Sequence, residues 1–410
     1  MRASIFLLAS LLLLGGCESA DRVLTNTERV LGSRTGRTVL DIATGKDPKQ
    51  ILKERVDAYQ RDPEAVLRDL RTIQRDFNTL MTALTGNVRK TWGEKEVKVP
   101  EQKKYVKYTQ NYMSRTIVDF DNGTILVETL DDKAPKESLK NAIVTTLLTP
   151  DDPRSVDLFS DKPVTLTSEH SPYLLGLVLD QAGQPIRTPA QAETFAASSL
   201  ENAKARPVDQ NGATKQALIA EIKMVANFSN KQADKYRAAV TRYAEQFKIS
   251  PSLIFAVIRT ESNFNPFAVS SAPAFGLMQL VPTSGGRDAY RKAKGKDTIP
   301  SREYLFDPEN NIELGSAYLN VLSYNLLEQV DNEVSREYCV ISAYNTGTGN
   351  VFKAFAANST SAVNQINSLE PPAVYDRLRT NLPYQETRDY LVKVVGFRKQ
   401  FVAPVESPGR

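Results

Sequence analysis

The stretch IFAVIRTESNFNP, residues 254–266, carries an apolar series at Ile254, Val257 and Ile258, and the next position of that series is Glu261. The spacing i, i+3, i+4, i+7 marks one face of an α-helix, so a carboxylate closes a stripe made for a core. Burial penalises the charged form of a carboxyl and raises its pKa, and the negative end of a helix pushes the same way. Ser262 to Pro266 end the predicted helix just after the acid. A glutamic acid held protonated near neutral pH suits general-acid work such as glycosidic cleavage. Periodicity alone equally allows a helix-end glutamate whose side chain swings into solvent.

Around this stretch the chain reads as helical from Asn230 onward. Apolar periodicity predicts helices over 231–248, 252–262, 308–328, 335–345 and 385–401, and Ser250-Pro251 and Asp307-Pro308 are helix starts. Upstream the period changes. RTIVDFDNGTILVETL places two β-rich runs around Asp121-Asn122-Gly123, a hairpin signal. GLVLDQAGQPI repeats that grammar, and ALIAEIKMVANF alternates like a further strand. Asp62-Pro63 opens a long helix with the stripe Leu67, Leu70, Ile73, Phe77, Leu80 and Leu84, closed by Gly86. At 410 residues the chain exceeds one compact core. The expected fold class is α+β: an N-terminal mixed α+β domain over residues 48–229, then an all-α domain over residues 230–410.

Composition narrows the chemistry. There is one histidine, His170, and two cysteines, Cys17 and Cys339, so Zn sites, Ser–His–Asp triads and Cys–His pairs are poorly supplied. Catalysis then rests on carboxylates, hydroxyls and amides, with no metal and no cofactor expected. With 52 Lys and Arg against 48 Asp and Glu, the net charge of +4 gives no indication of nucleic acid.

At the N-terminus, Arg2 precedes the apolar run Ile5 to Leu14, too short to span a bilayer core of ~30 Å. The basic start, short apolar run and small residues read as a secretory signal over residues 1–16. Leu14-Gly15-Gly16-Cys17 looks like a bacterial lipobox, against the alternative of an ordinary signal with a chance cysteine. Cys17 is then the lipidated first residue of a tether running to residue 47. With Glu18 rather than aspartate next to it, an outer-membrane anchor facing the periplasm is expected. Cys339, left alone, lies in a helical apolar series and is expected to be a buried small hydrophobe without a disulfide.

Gly276-Leu277-Met278-Gln279 and Ala343-Tyr344-Asn345 follow Glu261-Ser262 along the chain. In that order the three segments resemble the signature of the lysozyme-like soluble lytic transglycosylases, which cleave bacterial peptidoglycan. ESNFNPFAVS matches the pattern E-S-x-x-N-P-x-A-x-S, and PYQETRDYLVKVVGF is similar to the family's C-terminal E-T-R-x-Y-V segment. These matches cover roughly residues 235 to 400. The N-terminal half, notably YVKYTQNYMSRTIVDFDNGTILVETL and DDPRSVDLFSD, resembles that of a membrane-bound branch of the family. Two departures stand out. Thr346 and Thr348 interrupt a usually glycine-rich run after the Tyr-Asn pair, and Pro273 stands where polar residues are usual.

The resemblance implies a goose-type lysozyme-like catalytic domain and peptidoglycan glycan strands as substrate. It implies Glu261 as acid and then base, with Tyr344 hydrogen-bonding near it. It also implies Gln279 and Asn345 on sugar groups, Ser270 on N-acetyl or peptide groups, and Met278 along the cleft; Glu386 is a further candidate. Met278 and Tyr344 also fit plain core packing, and Glu386 a helix surface. A two-carboxylate hydrolase needs a partner acid, and the next after Glu261 is Asp288, beyond the GLMQ segment. One carboxyl serving both proton transfers, with the sugar's own 6-hydroxyl as nucleophile and a 1,6-anhydro product, is the simpler expectation. A lysozyme-type hydrolase and a non-catalytic peptidoglycan-binding tether remain the alternatives.

Overall fold

The computed structural model describes residues 64–401 except residue 168, with side chains from residue 71 onward. The signal segment, Cys17, the tether, the Asp62-Pro63 start and the side chains of Leu67 and Leu70 lie outside these. Helix α1 (Glu64–Trp92) does not stop at Gly86. It runs on to bury Val88 and Trp92 completely, and that burial outweighs the ~1 kcal/mol that a glycine costs a helix. Gly93 ends it at φ +88°, where a side chain would collide with the Asp209 carbonyl. Contacts divide the chain inside α1, between Thr79 and Leu80. Residues 64–79 form the helical start, and the unit from Leu80 onward holds the sheet and all later helices.

The first part of this larger unit is a five-stranded antiparallel sheet of order β1-β2-β3-β5-β4: β1 (Lys104–Thr109), β2 (Ser114–Asp119), β3 (Thr124–Thr129), β4 (Lys204–Gln210) and β5 (Ala213–Lys223). The predicted hairpin joins β2 to β3. The Asp119 carboxylate accepts the N–H groups of Asp121 and Asn122, and Gly123 takes φ +63°. β5 covers the third predicted strand run. GLVLDQAGQPI forms no strand. Only the bridge Leu179–Pro185 survives of that hairpin, because the arms are short and Pro185 has no N–H to donate. Pro207 is tolerated within β4 because β4 is an edge strand.

Helix α2 (Pro135–Leu148) packs across β2, β3 and β5 and carries α3 (Pro189–Glu201) beside it. Thr116 of β2 meets Thr146 of α2, oxygen to oxygen at 2.6 Å. Alternation then sends Arg115 to the opposite side of the sheet, where its guanidinium lies 3.9 Å from the ring centre of Trp92. There it pairs with Glu128 at 2.5 Å and Glu96 at 2.8 Å, and Arg206 completes the network on the same two carboxylates.

From Phe228 the chain is helical: α4 (Phe228–Lys235), α5 (Arg237–Phe247), α6 (Pro251–Glu261), α7 (Gly285–Lys294), α8 (Arg302–Phe306), α9 (Pro308–Val321), α10 (Glu333–Thr346), α11 (Thr348–Lys353), α12 (Ser359–Asn367), α13 (Pro371–Asn381) and α14 (Gln385–Arg398). Pro251 and Pro308 open α6 and α9, and Asp307 caps α9 by accepting the Asn310 N–H at 2.9 Å. Helix α6 is the hub, packed by α5, α9 and α14. Cys339 is buried in α10, and burial pushes its thiol up to about 12. The rings of Tyr105, Tyr173 and Phe267 meet in tilted and edge-on contacts at 4.8 to 5.5 Å between centres, joining β1 to the loops after α2 and α6.

Candidate active site

Glu261 is the last residue of α6, above Ile254, Val257 and Ile258, all fully buried. Glu261 as a residue keeps an intermediate exposure, while protein packs densely around its carboxyl. Burial is the main reason its pKa rises to about 8. The Glu386 carboxylate adds to the rise, while the Tyr390 hydroxyl and the Lys103 ammonium oppose it. Tyr390 faces the carboxyl closely enough to act on it but outside strict hydrogen-bond geometry, so its hydroxyl is poised without a partner.

The backbone after Glu261 is pinned from several directions. Ser262 donates its hydroxyl to the Leu277 carbonyl at 2.8 Å, tying the helix end to the GLMQ loop. Asn263 and Phe264 both take positive φ, 45° and 64°. Asn263 is held there by donating to the Phe120 carbonyl at 2.6 Å, and Asn265 donates to the Gln102 carbonyl at 3.1 Å. The sheet thus grips the loop that follows the acid.

The GLMQ loop is clamped from beneath. Asn311 accepts the Met278 N–H at 2.8 Å and donates to the carbonyls of Phe275 and Leu305. Gly276 at φ +76° leaves the space that Asn311 fills; a Cβ there would sit 2.4 Å from its amide nitrogen. Met278 is fully buried against Gly315, in the packing under the loop. Gln279 is buried at φ +48°, its amide donates to the Gly276 carbonyl at 2.9 Å, and its Oε1 has no partner. Buried acceptors are normally paired, so this one stands out.

Tyr344 donates its hydroxyl to the Met278 carbonyl at 2.8 Å. Burial, and then the Glu261 charge, push its pKa well up, so it stays a neutral donor. Asn345 accepts from Thr387 Oγ1 at 2.6 Å, joining the end of α10 to α14. Ser270 uses its hydroxyl inside its own loop, donating to the Ala272 carbonyl at 2.7 Å. Glu386 is exposed at the start of α14. At the departures, Asn350 binds Thr346 through both its carbonyl and its hydroxyl, and Gly347 keeps φ +82°.

The structure therefore gathers Glu261, Tyr344, Tyr390, Glu386 and Lys103 into one electrostatic neighbourhood, with Gln279 on the adjoining loop. It ties Ser270 and Asn345 into supporting bonds. Tyr390 and Lys103 were not legible as site residues. Tyr390 stands within the E-T-R-x-Y segment but reads there as part of an apolar helix face, and Lys103 precedes a strand in the other half of the chain.

The chain is similar to known proteins. Residues 70–235 match the family model of the membrane-bound lytic murein transglycosylase C N-terminal domain, and residues 238–367 match that of the transglycosylase SLT domain. Membrane-bound lytic murein transglycosylase C of Yersinia enterocolitica is 42% identical over 343 residues, covering 83% of this chain and 93% of its own. That of Shigella sonnei is 42% identical over 326 residues, covering 79% and 89%. The soluble lytic transglycosylase Slt of Pseudomonas aeruginosa aligns with 40% of this chain at 29% identity and a TM-score of 0.31. The 70 kDa soluble enzyme of Escherichia coli aligns with 40% at 27% identity and 0.30. Each match spans 23% of those longer chains. With identity at this level running across both halves, the chain belongs to the membrane-bound lytic murein transglycosylase C family.

Proposed function

We propose that this peptidoglycan lytic transglycosylase breaks the β-1,4 bond between N-acetylmuramic acid and N-acetylglucosamine without water, using Glu261 for both proton transfers. The observation that carries this is the place of Glu261 at the end of the buried Ile254–Val257–Ile258 stripe, where burial pushes its carboxyl up to about 8 and keeps it protonated at neutral pH. Protonated, it gives its proton to the glycosidic oxygen as the bond to C1 of N-acetylmuramic acid breaks. The substrate's N-acetyl group supports the positive charge that develops at C1. Glu261, now a carboxylate, takes the proton of the 6-hydroxyl as that oxygen closes onto C1, leaving a 1,6-anhydro end and a regenerated acid. Tyr390 faces the carboxyl and steadies its charged form in the second step. Gln279 offers its unpartnered Oε1 to the sugar, and Asn345, Ser270 and Met278 shape the loops around it.

A hydrolase reading has one observation in its favour: Glu386 brings a second carboxylate within electrostatic reach of Glu261. Products separate the two. Digested sacculi should release 1,6-anhydro muropeptides, lighter by one water than the reducing ends of hydrolysis, and reducing ends alone would overturn the proposal. By analogy with the names of its relatives the enzyme is membrane-bound; we attribute this to acylation of Cys17 and an outer-membrane anchor facing the periplasm. Among the described residues no helix is long and apolar enough to cross a membrane. Cleavage of this kind serves wall remodelling and recycling.

A further inference from the structure

A cavity of about 550 Å³ lies where the loops after α2 meet α4 and the start of α9. Glu261, Gln279, Tyr344 and Tyr390 do not line it. Pro266 and Tyr236 do, and the Tyr236 ring stacks on Phe264 at 6.4 Å, so the loop that follows Glu261 is its wall.

Several charges around this cavity are satisfied. Arg154 holds Asp152 at 2.8 Å and Asp307 at 3.0 Å, and Glu309 is held by Arg242. Two have no partner of opposite fixed charge within ion-pair distance. Among the described residues Asp151 has its one ion-pair contact with the ring of His170, Oδ1 to Nδ1 at 3.5 Å, and Lys235 acts on it from farther away. Lys235 spends one proton on the Tyr173 carbonyl at 2.5 Å and, among the described residues, has no carboxylate within ion-pair distance. Concave burial works against both charges, raising the Asp151 carboxyl and pushing the Lys235 ammonium down to about 8. Two buried donors on the lining are also unpaired: Gln232 Nε2 and Tyr173 Oη, each on a residue only 3% exposed. Buried polar groups are normally satisfied, and unpaired charges in a concavity seek a counter-charge.

We propose that this cavity is a binding site for a short peptide carrying both a free ammonium and a free carboxylate. The ammonium lies against Asp151, and the carboxylate against Lys235, with Gln232 and Tyr173 supplying further donors. The other carboxylates of the lining are taken up by Arg154 and Arg242, no cluster of His, Cys, Asp and Glu among the described residues could hold a metal ion, and Asp151 repels a phosphate dianion. A neutral sugar would leave both charges unmatched. The volume falls in the ~300–1,000 Å³ range of small-ligand sites and suits a few residues. The site is independent of the chemistry at Glu261.

Calorimetric titration of the whole chain with trialanine, both termini free, tests this. Binding should be one per chain and at least roughly tenfold tighter than for N-acetyl-trialanine amide. Asp151→Asn and Lys235→Met should each lose at least that factor, and Lys235→Arg should retain most of it. A disaccharide-linked muropeptide that binds more tightly than trialanine identifies the glycan-borne stem as the source; weaker binding identifies free peptide. Equal affinity for the free and blocked tripeptides, no binding of trialanine at millimolar concentration, or full affinity in both charge-removing variants would overturn the proposal.

Discussion

The side-chain amide of Asn263, two residues beyond Glu261, donates to the carbonyl of Phe120 at 2.6 Å, at the start of the β2–β3 turn. The same amide reaches Asp121 Oδ1 at 3.2 Å, and that carboxylate pairs with Lys103 at 3.3 Å. Lys103 is in turn the cation that acts on Glu261. A hairpin written in the N-terminal half therefore holds the backbone just after an acid presented by the C-terminal half, and through Lys103 adds a small opposing charge to the burial that dominates its pKa. Asn263 suits its φ of +45° because asparagine tolerates the left-handed region. Asn263→Ala should lose about 2 kcal/mol through the lost bonds and the added strain. Asn263→Gly keeps the φ and should lose less. Thermal midpoints ordered wild type, Gly, Ala, with kcat reduced in both, are the expected result; equal midpoints for Gly and Ala would remove the strain argument.

Residues 230–410 are proposed as a folding unit, and the same contacts set its cost. Cut from the sheet, Asn263 and Asn265 lose their acceptors at Phe120 and Gln102. The fragment should unfold cooperatively but at a lower midpoint than the whole chain, and cleave glycan more slowly. A molten species without a cooperative transition would end the two-domain reading.

Arg115 supplies a separate test in the sheet. It is 1% exposed, and its partner Glu128 is 0% exposed. Removing one member of a buried ion network leaves an uncompensated charge and costs ~3–5 kcal/mol. Arg115→Met should therefore lower the urea midpoint strongly, while Arg115→Met with Glu128→Leu should lose less. The Arg206 guanidinium, with Arg115, holds Glu96 down to about 2 despite its burial. Because that pKa is depressed, the stability it brings is present above the unfolded value of 4.5 and is lost as pH falls through about 2. Urea midpoints measured down the acid range should follow that window and flatten in Glu96→Gln.

These buried ions also explain what the sequence hid. β2 carries Arg115 inward and β3 carries Glu128 inward, so neither strand alternates cleanly by hydropathy. β1 buries Lys107, whose ammonium donates to the carbonyls of Asp157 and Ser160, and no local pattern announces that. The β2–β3 hairpin was legible from its turn chemistry and β-rich runs, and β5 from its apolar alternation, because these are local signals. At the site, the acid was legible for the same reason, since Ile254, Val257, Ile258 and Glu261 share one helix face. Tyr390 was not, because its approach to Glu261 is made by the packing of α14 on α6.

Tyr390 and Glu386 should shift the chemistry in opposite directions. The Tyr390 hydroxyl lowers the Glu261 pKa, and the Glu386 carboxylate raises it. The first step needs Glu261 protonated, so its pKa appears as the alkaline limb of kcat/KM. Tyr390→Phe should move that limb to higher pH and Glu386→Gln to lower pH, both still giving anhydro product. Shifts of the same sign, or none, would detach these residues from the acid.

Glu261→Gln joins catalysis and stability in one measurement. Gln has nearly the shape of Glu but transfers no proton, and general acid–base work is worth roughly 10² to 10⁴ in rate. One residue serves both steps here, so release of 1,6-anhydro muropeptides should fall by at least the upper figure. Burial raises the folded pKa from 4.5 to about 8. The ionised carboxyl therefore costs stability that grows as pH rises above 4.5 and levels off above about 8. The Gln variant should match wild type near pH 3 and gain on it progressively, by an amount on the order of a few kcal/mol at pH 9. A surface glutamate would move neither activity nor midpoint. Retained activity would end the catalytic assignment, whereas lost activity with a lower midpoint at pH 9 would make Glu261 a packing residue.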